Sequence, residues 1–278
     1  MRILFVGDVF GVPGRRALED RLPGLRDELD VDFCIVNGEN AADGAGITGK
    51  HADRILAVGA DAITLGNHTW RQRGFADYLA GSDRVVRPAN FSSEAPGRGW
   101  TIAAARDGTQ VAVINLMGAL FLDVACNPFE VVDSLVEEAA RTTPVIIVDL
   151  HAEATSEKIA LAYWLDGRVT AVIGTHTHVQ TADARVLAGG TAALTDAGMT
   201  GPHDSVIGVE IAAALGRFLT ALPQKFETAT GNPRLNAVIV DGDELTGRAR
   251  SIERLSFDAD DLQRLAEMSD ERPVRSSV

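Results

Sequence analysis

The sequence has 278 residues, of which 46% are hydrophobic, and a formal net charge of −13. This length and apolar content suffice for a sizeable core, so we expect one domain over 1–278, with a short polar tail from about residue 270. The acidic balance argues against a stable complex with nucleic acid, whose phosphates require basic surfaces. Two cysteines without a CxxC spacing argue against a disulfide scaffold, and no apolar run reaches membrane-spanning length, so we expect a soluble cytoplasmic protein without a membrane partner.

The first part of the chain predicts buried strands that alternate with helices. Short apolar runs, typical of strands buried on both faces, occur at 3–6, 32–37 and 61–65. Helices are expected over about 14–29, where leucines form one stripe, and from an N-cap at Thr48 to about residue 58. The segment 11–16 lacks the lysine and the glycine spacing of a phosphate-binding loop, so we interpret it as a turn that opens the first helix.

The rest of the chain is less regular but keeps the same character. Strands are predicted at 85–86, 100–106, 110–116, 144–150, 168–173, 184–187, 192–194, 235–240 and 245–255. Helices are predicted at 130–140, 156–165, 206–219 and in a short stretch after Asp258. The segments 118–129 and 195–203 show no period and are interpreted as loops. Without an internal repeat or a linker, the pattern indicates a single α/β domain.

Polar residues of the metal-binding types follow the apolar strands. They are Asp8, Glu39, Asn40, Asn67, His68, His151, His176 and His178. One such residue is usually a cap or a turn former, but eight at the ends of five strands are hard to explain in that way. Open α/β sheets place their functional sites at this edge. His51 and His203 do not share the setting.

His176 and His178 lie two residues apart after the run 168–173. On an extended backbone, such residues project to the same side and can converge on one point, which suggests half of a metal site. The alternative is a pair of exposed loop histidines without a ligand. Carboxylate, amide and imidazole groups without thiolate suit Mn²⁺, Fe²⁺ or Zn²⁺, and two metals about 3.5–4 Å apart, bridged by one carboxylate, would use this many ligands.

In order and spacing, these motifs resemble those of the calcineurin-like metallophosphoesterases. The motifs are Gly7-Asp8, Gly38-Glu39-Asn40, Gly66-Asn67-His68, His151 and Gly174-Thr175-His176-Thr177-His178. The Glu-Asn pair, 127–129 and 195–202 are similar to the YmdB-like bacterial branch in particular. Two positions depart from the broader pattern, because Phe10 stands where many members have a histidine and Glu39 replaces the usual bridging aspartate. Asn40 is the neighbour that would fill the vacant position, as the branch resemblance also implies.

The resemblance implies a two-sheet α/β sandwich with helices outside, and it implies roles for the residues. One metal would be bound by Asp8, Glu39, Asn40 and His178, and the other by Glu39, Asn67, His151 and His176. Glu39 would bridge the two ions, for which the branch suggests Fe or Mn, with Zn as an alternative. His68 would stay free of metal and donate a proton to the leaving oxygen.

The activity implied by the branch is hydrolysis of a small phosphodiester, most specifically a 2′,3′-cyclic nucleotide, by in-line attack of a metal-bridging hydroxide. The segments 44–48, 127–129 and 195–203 are candidate substrate contacts. A phosphomonoesterase or an RNA nuclease could use the same residues, and a regulatory interaction protein with a structural metal is the alternative outside enzymes. Because soluble enzymes of this kind are commonly symmetric, we expect a homo-oligomer.

Overall fold

The computed structural model describes residues 1–258, 260 and 261. Its strands are β1 Arg2–Val6, β2 Asp8–Val9, β3 Phe33–Asn37, β4 Ala62–Thr64, β5 Val85–Val86, β6 Trp100–Ala104, β7 Gln110–Met117, β8 Ile146–His151, β9 Ala171–Thr175, β10 Arg185–Val186, β11 Ala192–Leu194, β12 Met199–Pro202, β13 Pro233–Gly242 and β14 Ala249–Phe257. Its helices are α1 Gly11–Glu28, α2 Gly49–Ala57, α3 Phe75–Gly81, α4 Pro128–Ala140, α5 Thr155–Trp164 and α6 Ile211–Thr220. The predicted polar tail from residue 270 and most of the predicted helix after Asp258 lie outside the described residues.

The strands form two sheets that pack face to face. The first sheet has the order β2-β12-β13-β1-β3-β4-β5, with β14 paired to β13, and the second has the order β10-β11-β9-β8-β7-β6. In the first sheet β1, β3, β4 and β5 run parallel, and in the second β7, β8, β9 and β11 do. Helices cover both outer faces, so the predicted two-sheet α/β fold is confirmed.

The alternation of side chains along each strand builds three hydrophobic clusters. In β1, Ile3 and Phe5 face the second sheet, whereas Leu4 and Val6 face the helices. The central cluster joins Ile3 and Phe5 to residues of the opposite sheet such as Ile147. A strand that supplies both faces must be apolar throughout, which is why these strands read as continuous apolar runs.

Some segments differ from the sequence-based expectation. Helix α1 begins at Gly11 rather than near residue 14, so 11–16 is its first turns and not a separate turn. Within 195–203, residues 199–202 form β12, and Pro128 starts α4 behind the N-cap Asn127. The helix predicted over 206–219 begins only at Ile211, because Ile207 and Gly208 have left-handed φ angles of 47° and 107°, which a helix cannot contain.

The long pairing of β13 and β14 forms as predicted, although β14 begins at Ala249 and not at 245. Thr48 caps α2 as expected, since its side chain accepts a hydrogen bond from the His51 backbone N–H. Within the described residues, no helix combines the length and the apolarity that crossing a membrane would require.

Candidate metal centre

The parallel strands of both sheets bring the eight polar residues to one edge. Asp8 lies in β2 directly after β1, Glu39 and Asn40 follow β3, Asn67 and His68 follow β4, His151 ends β8, and His176 and His178 follow β9. The carboxyl ends of parallel strands point the same way, so residues distant in sequence meet there.

Glu39 lies at the centre of the group. Its Oε1 atom is 3.0 Å from the Asn40 side-chain nitrogen and 3.2 Å from His151 Nε2, and its Oε2 accepts the backbone N–H of His68 at 3.0 Å. The side chain is only 1% exposed. The carboxylate therefore contacts residues assigned to both predicted metals.

His151 directs its Nε2 atom into the cluster. This atom lies 2.9 Å from Asn67 Oδ1 and 3.1 Å from His176 Nδ1. On the other side of the ring, Nδ1 is 2.9 Å from the Thr175 hydroxyl, which itself donates to Asp149 Oδ1 at 2.7 Å. A fixed partner on one ring nitrogen sets the orientation of the other, as it does for metal-binding histidines.

The turn that carries His176 and His178 is not extended. Their φ angles are 100° and 68°, so the expectation that they converge along an extended backbone was wrong, although the two side chains do reach the same cluster. His178 Nδ1 donates to the Ile207 carbonyl at 2.8 Å and its Nε2 lies 3.2 Å from the Asn40 side-chain nitrogen. The ring of Phe10, in the position of the missing first-motif histidine, packs edge-on against His178 at 5.6 Å between ring centroids.

The side chain of Asp196 is hydrogen-bonded to this turn. It accepts the Thr177 backbone N–H at 3.0 Å and the Thr177 hydroxyl at 2.7 Å, and it forms a buried ion pair with Lys158 at 2.9 Å. Such contacts can hold a left-handed non-glycine backbone, which otherwise costs free energy.

Several neighbouring pKa values are displaced. Burial opposes the charge on His151, but Glu39 raises its pKa to about 9. Burial and the repulsion of His151 lower the pKa of His176 to about 3. Burial would raise the pKa of Glu39, yet His151 and the bonds from His68 hold it below its usual range. Burial also raises the pKa of Asp8 and lowers that of His68. Such clustering of displaced pKa values is typical of functional sites.

The cluster fits cations. Asp8 is fully buried, and its Oδ1 atom has no hydrogen-bond partner among the described residues; the nearest ring nitrogens, on His151 and His178, are 4.0 Å away. A buried carboxyl group without a positive partner takes up a proton more readily, as the raised pKa of Asp8 shows, whereas a bound cation would stabilise its charged form. Glu39, His151 and His176 also offer ligand atoms within 4.8 Å of one another. Gly66 leaves space here, because a Cβ at this position would meet the His151 ring and the Glu39 carboxylate.

Residues outside the predicted set contribute to the arrangement. Asn37 and Thr175 hydrogen-bond the buried Asp149, whose pKa burial raises to about 6. Glu153 lies 3.1 Å from His176 Nε2. Asp149 could have been noticed in the sequence, because it is a charged residue inside the apolar run 144–150. Nothing in the sequence indicates the contacts of Glu153 or of the Ile207 carbonyl.

The three candidate substrate loops take different places. Met199 and Ala197 in 195–203 donate backbone N–H groups to His178 and Gly174, so this segment supports the histidine turn. The segment 44–48 is held by Gln72, which donates to the Ala45 carbonyl, and 127–129 forms the start of α4. His51 and His203 do not join the cluster, because they lie in the α2 cap and beside the Met199 carbonyl.

Known proteins share this architecture over nearly their whole length. Residues 4–255 match the model of a family described as YmdB-like protein. The chain is 48% identical over 262 residues to a 2′,3′-cyclic-nucleotide 2′-phosphodiesterase of Bacillus subtilis, covering 94% of this chain and 99% of that relative. It is similar to the crystal structure of a hypothetical protein from Thermus thermophilus, with a TM-score of 0.87, 42% identity and coverage of 93% of this chain and 99% of that one. It is also similar to a novel phosphatase from Mycoplasma pneumoniae, with a TM-score of 0.86, 33% identity and coverage of 96% of each chain.

Proposed function

Since this chain belongs to the YmdB-like protein family, we propose that it is a metal-dependent phosphodiesterase that hydrolyses 2′,3′-cyclic nucleotides. The observation that carries the proposal is the convergence of carboxylate, amide and imidazole groups on the buried Glu39 carboxylate. Beside it, Asp8 Oδ1 has no hydrogen-bond partner within the part of the chain that the structure describes. The substrate class is supported by the B. subtilis relative, whose name specifies both the cyclic nucleotide and the 2′ ester bond.

We assign the metal ligands by the resemblance and the contacts together. Asp8, Glu39, Asn40 and His178 would hold one divalent ion, and Glu39, Asn67, His151 and His176 would hold a second, with Fe or Mn as the expected metals. When bound, the ions supply Lewis acidity and positive charge for phosphoryl transfer.

The chain's own residues set the geometry of the reaction. The Thr175 and Ile207 contacts fix the rings of His151 and His178, so that their Nε2 atoms face the site. The Asp196 contacts fix the turn between them. Preorganised groups of this kind lower the barrier, because they need not reorganise when charge develops.

His68 is placed to act as the general acid. Its Nδ1 atom lies 2.7 Å from Asn40 Oδ1, and its side chain is 28% exposed, so Nε2 remains available to a substrate. In the proposed reaction the oxygen of a water molecule bonds to phosphorus while that water gives one proton to solvent, and the bond from phosphorus to O2′ breaks. His68 gives its proton to O2′ and recovers one from solvent, leaving a 3′-monophosphate. A nearby phosphate would favour the protonated ring, against the lowering of the His68 pKa by burial.

The test is hydrolysis of 2′,3′-cyclic AMP by Mn²⁺-loaded protein, with metal content measured for wild type, His68→Ala and Glu39→Ala. We expect His68→Ala to keep the metal and to lose about 10²- to 10⁴-fold in kcat, since it removes only proton transfer. Glu39→Ala should lose metal and activity together. The wild-type product should be 3′-AMP, resolved from 2′-AMP by chromatography.

Two results would contradict the proposal. A wild-type protein that binds metal but turns over no phosphodiester would favour a regulatory role. Faster hydrolysis of an aryl phosphate or of RNA than of the cyclic nucleotide would instead place the same residues in a phosphomonoesterase or a nuclease.

A further inference from the structure

A groove of about 460 Å³ opens directly beside the candidate metal centre. Asn67 belongs to both, since it lines the groove and its Oδ1 atom lies 2.9 Å from His151 Nε2. The other lining residues on which the argument rests are Trp70, Arg71, Phe91, Met117 and Phe121. The groove therefore adjoins the candidate metal centre at Asn67.

The groove presents aromatic side chains from separate segments of the chain. Trp70 is 43% exposed, and its ring centroid is 5.9 Å from that of Phe91. Phe121 is 85% exposed and has a left-handed φ of 68°. Single exposed aromatic residues are ordinary on a protein surface. Three that line one groove, which Asn67 also borders, offer faces on which a planar, unsaturated ring can stack.

Hydrogen bonds hold the segments that line the groove. The fully buried Asn90 holds the lining residue Met117 in place. Its side chain donates to the carbonyls of Met117 and Cys126 at 2.7 and 3.1 Å, and it accepts the Met117 N–H at 2.9 Å. Trp70 sits in a turn closed by the Thr69 hydroxyl on the Gly66 carbonyl and by the Arg71 N–H on the His68 carbonyl. The same short turn thus carries the proposed general acid and the tryptophan.

Arg71 adds a positive charge to this edge of an acidic protein. Its backbone N–H donates to the His68 carbonyl at 3.0 Å, so it belongs to the same turn as the proposed general acid. The lining contains the cation Arg71, which would attract a phosphate, and also a carboxylate, Asp123.

We propose that this groove is the subsite for the base of the nucleotide, which stacks on Trp70 with Phe91 and Phe121 at its sides. The inference rests on the proposed function and deepens it, because it assigns the residues that distinguish a nucleotide from another cyclic phosphodiester. Stacking tolerates any base, so the site accepts all four and favours purines, whose ring systems are larger.

The test compares 2′,3′-cyclic AMP with methyl riboside 2,3-cyclic phosphate, which has the same reacting group but no base. In Trp70→Ala, the ratio of kcat/KM for the nucleotide to kcat/KM for the base-free substrate should fall about tenfold to hundredfold. Trp70→Phe should restore most of the ratio, since it keeps an aromatic face. Trp164→Ala is the matched control, because Trp164 is also exposed, at 52%, but lies on α5 outside the groove.

A ratio in Trp70→Ala within about twofold of wild type would overturn the subsite. So would equal losses on both substrates accompanied by a change in oligomeric mass, since the aromatic residues would then contact a partner chain.

Calorimetry with 3′-AMP and ribose 3-phosphate separates this proposal from the activity itself. Tighter binding of 3′-AMP by wild type than by Trp70→Ala supports the subsite even if no cyclic nucleotide is hydrolysed, in which case only the proposed function fails. Hydrolysis of 2′,3′-cyclic AMP together with equal affinity of wild type and Trp70→Ala for 3′-AMP overturns the subsite alone.

Discussion

The buried ion pair between Lys158 and Asp196 supports the turn that carries two of the proposed ligands. Both side chains are almost completely buried, at 3% and 1% exposure. Removing one partner of such a pair leaves an uncompensated charge, which is more damaging than the loss of an exposed pair.

We expect Lys158→Met to destabilise the protein by about 3–5 kcal/mol and to lower Tm by roughly 10 °C, because Asp196 would stay buried without its cation. Thermal unfolding followed by circular dichroism measures the change. Lys225→Met is the matched control, since Lys225 pairs with Glu227 in full contact with solvent and its loss should leave Tm unchanged. A Tm of Lys158→Met equal to that of wild type would show that the pair does not support the turn.

Cys34 is buried in the first sheet, and this burial raises the pKa of its thiol. In the folded protein at pH 8 we therefore expect iodoacetamide to leave Cys34 unmodified, because the reactive thiolate is absent. Peptide mass spectrometry measures labelling before and after unfolding in urea, where Cys34 should become labelled. Labelling of Cys34 without unfolding would contradict its placement.

The convergence of the eight polar residues at one edge was predictable because each lies at or just after the end of an apolar strand. Asn37 and Thr175 were missed, since their value lies in a contact with Asp149 that forms only when the two sheets face each other. The left-handed turn at His176 and His178 could not be predicted either. Non-glycine residues rarely adopt such φ angles, and a histidine side chain gives no sign that its backbone does.

At the scale of elements, continuous apolar runs located the parallel strands, and the stripe of leucines located α1. The predicted bounds of the elements were wrong where pairing with distant strands decides the backbone conformation. The backbone at 199–202 became a strand because β2 and β13 pair with it on either side. In the same way, the start of α6 moved to Ile211 because residues 206 and 209 form a short bridge.

Gly66 follows β4 by two residues and lies against the candidate metal centre. Gly66→Ala should lower metal content and cyclic-nucleotide turnover, because the added methyl group would collide with the His151 ring and the Glu39 carboxylate. Metal analysis and a turnover assay measure both effects. Gly24→Ala within α1 is the control, because its methyl group meets nothing within 4 Å and alanine favours a helix. Unchanged metal content in Gly66→Ala would argue against metal binding beside this strand end.

At the scale of the whole molecule, an apolar stripe remains exposed along α6. Ile211, Leu215, Phe218 and Leu219 recur at helical spacing, and the last two are 80% and 82% exposed. Soluble monomers rarely leave such a continuous patch in water. We therefore expect this face to contact a second copy of the chain, in agreement with the predicted homo-oligomer.

Replacing Phe218 and Leu219 together by glutamine should shift the protein toward the mass of a monomer, because the contact would lose its largest apolar side chains. Sedimentation velocity measures the mass. Leu245→Gln provides the control, since Leu245 is equally exposed, at 86%, but lies outside α6. A monomeric wild type, or an oligomer indifferent to the double substitution, would exclude this face as the contact.

The position of β13 also has a consequence for how the protein is made. The last proposed ligand in the sequence is His178, but the strands around Asp8 depend on the later strand β13. It pairs with β1 and with β12, and β12 in turn pairs with β2, the strand that contains Asp8. A chain leaving the ribosome has thus released every ligand well before residues 233–242 can close the sheet around Asp8. Because domains fold only when their long-range pairings can form, we expect the nascent protein to bind metal only after residues 233–242 have left the ribosome. Until then the proposed ligand side chains lie beside a sheet that lacks the strand joining β1 to β12.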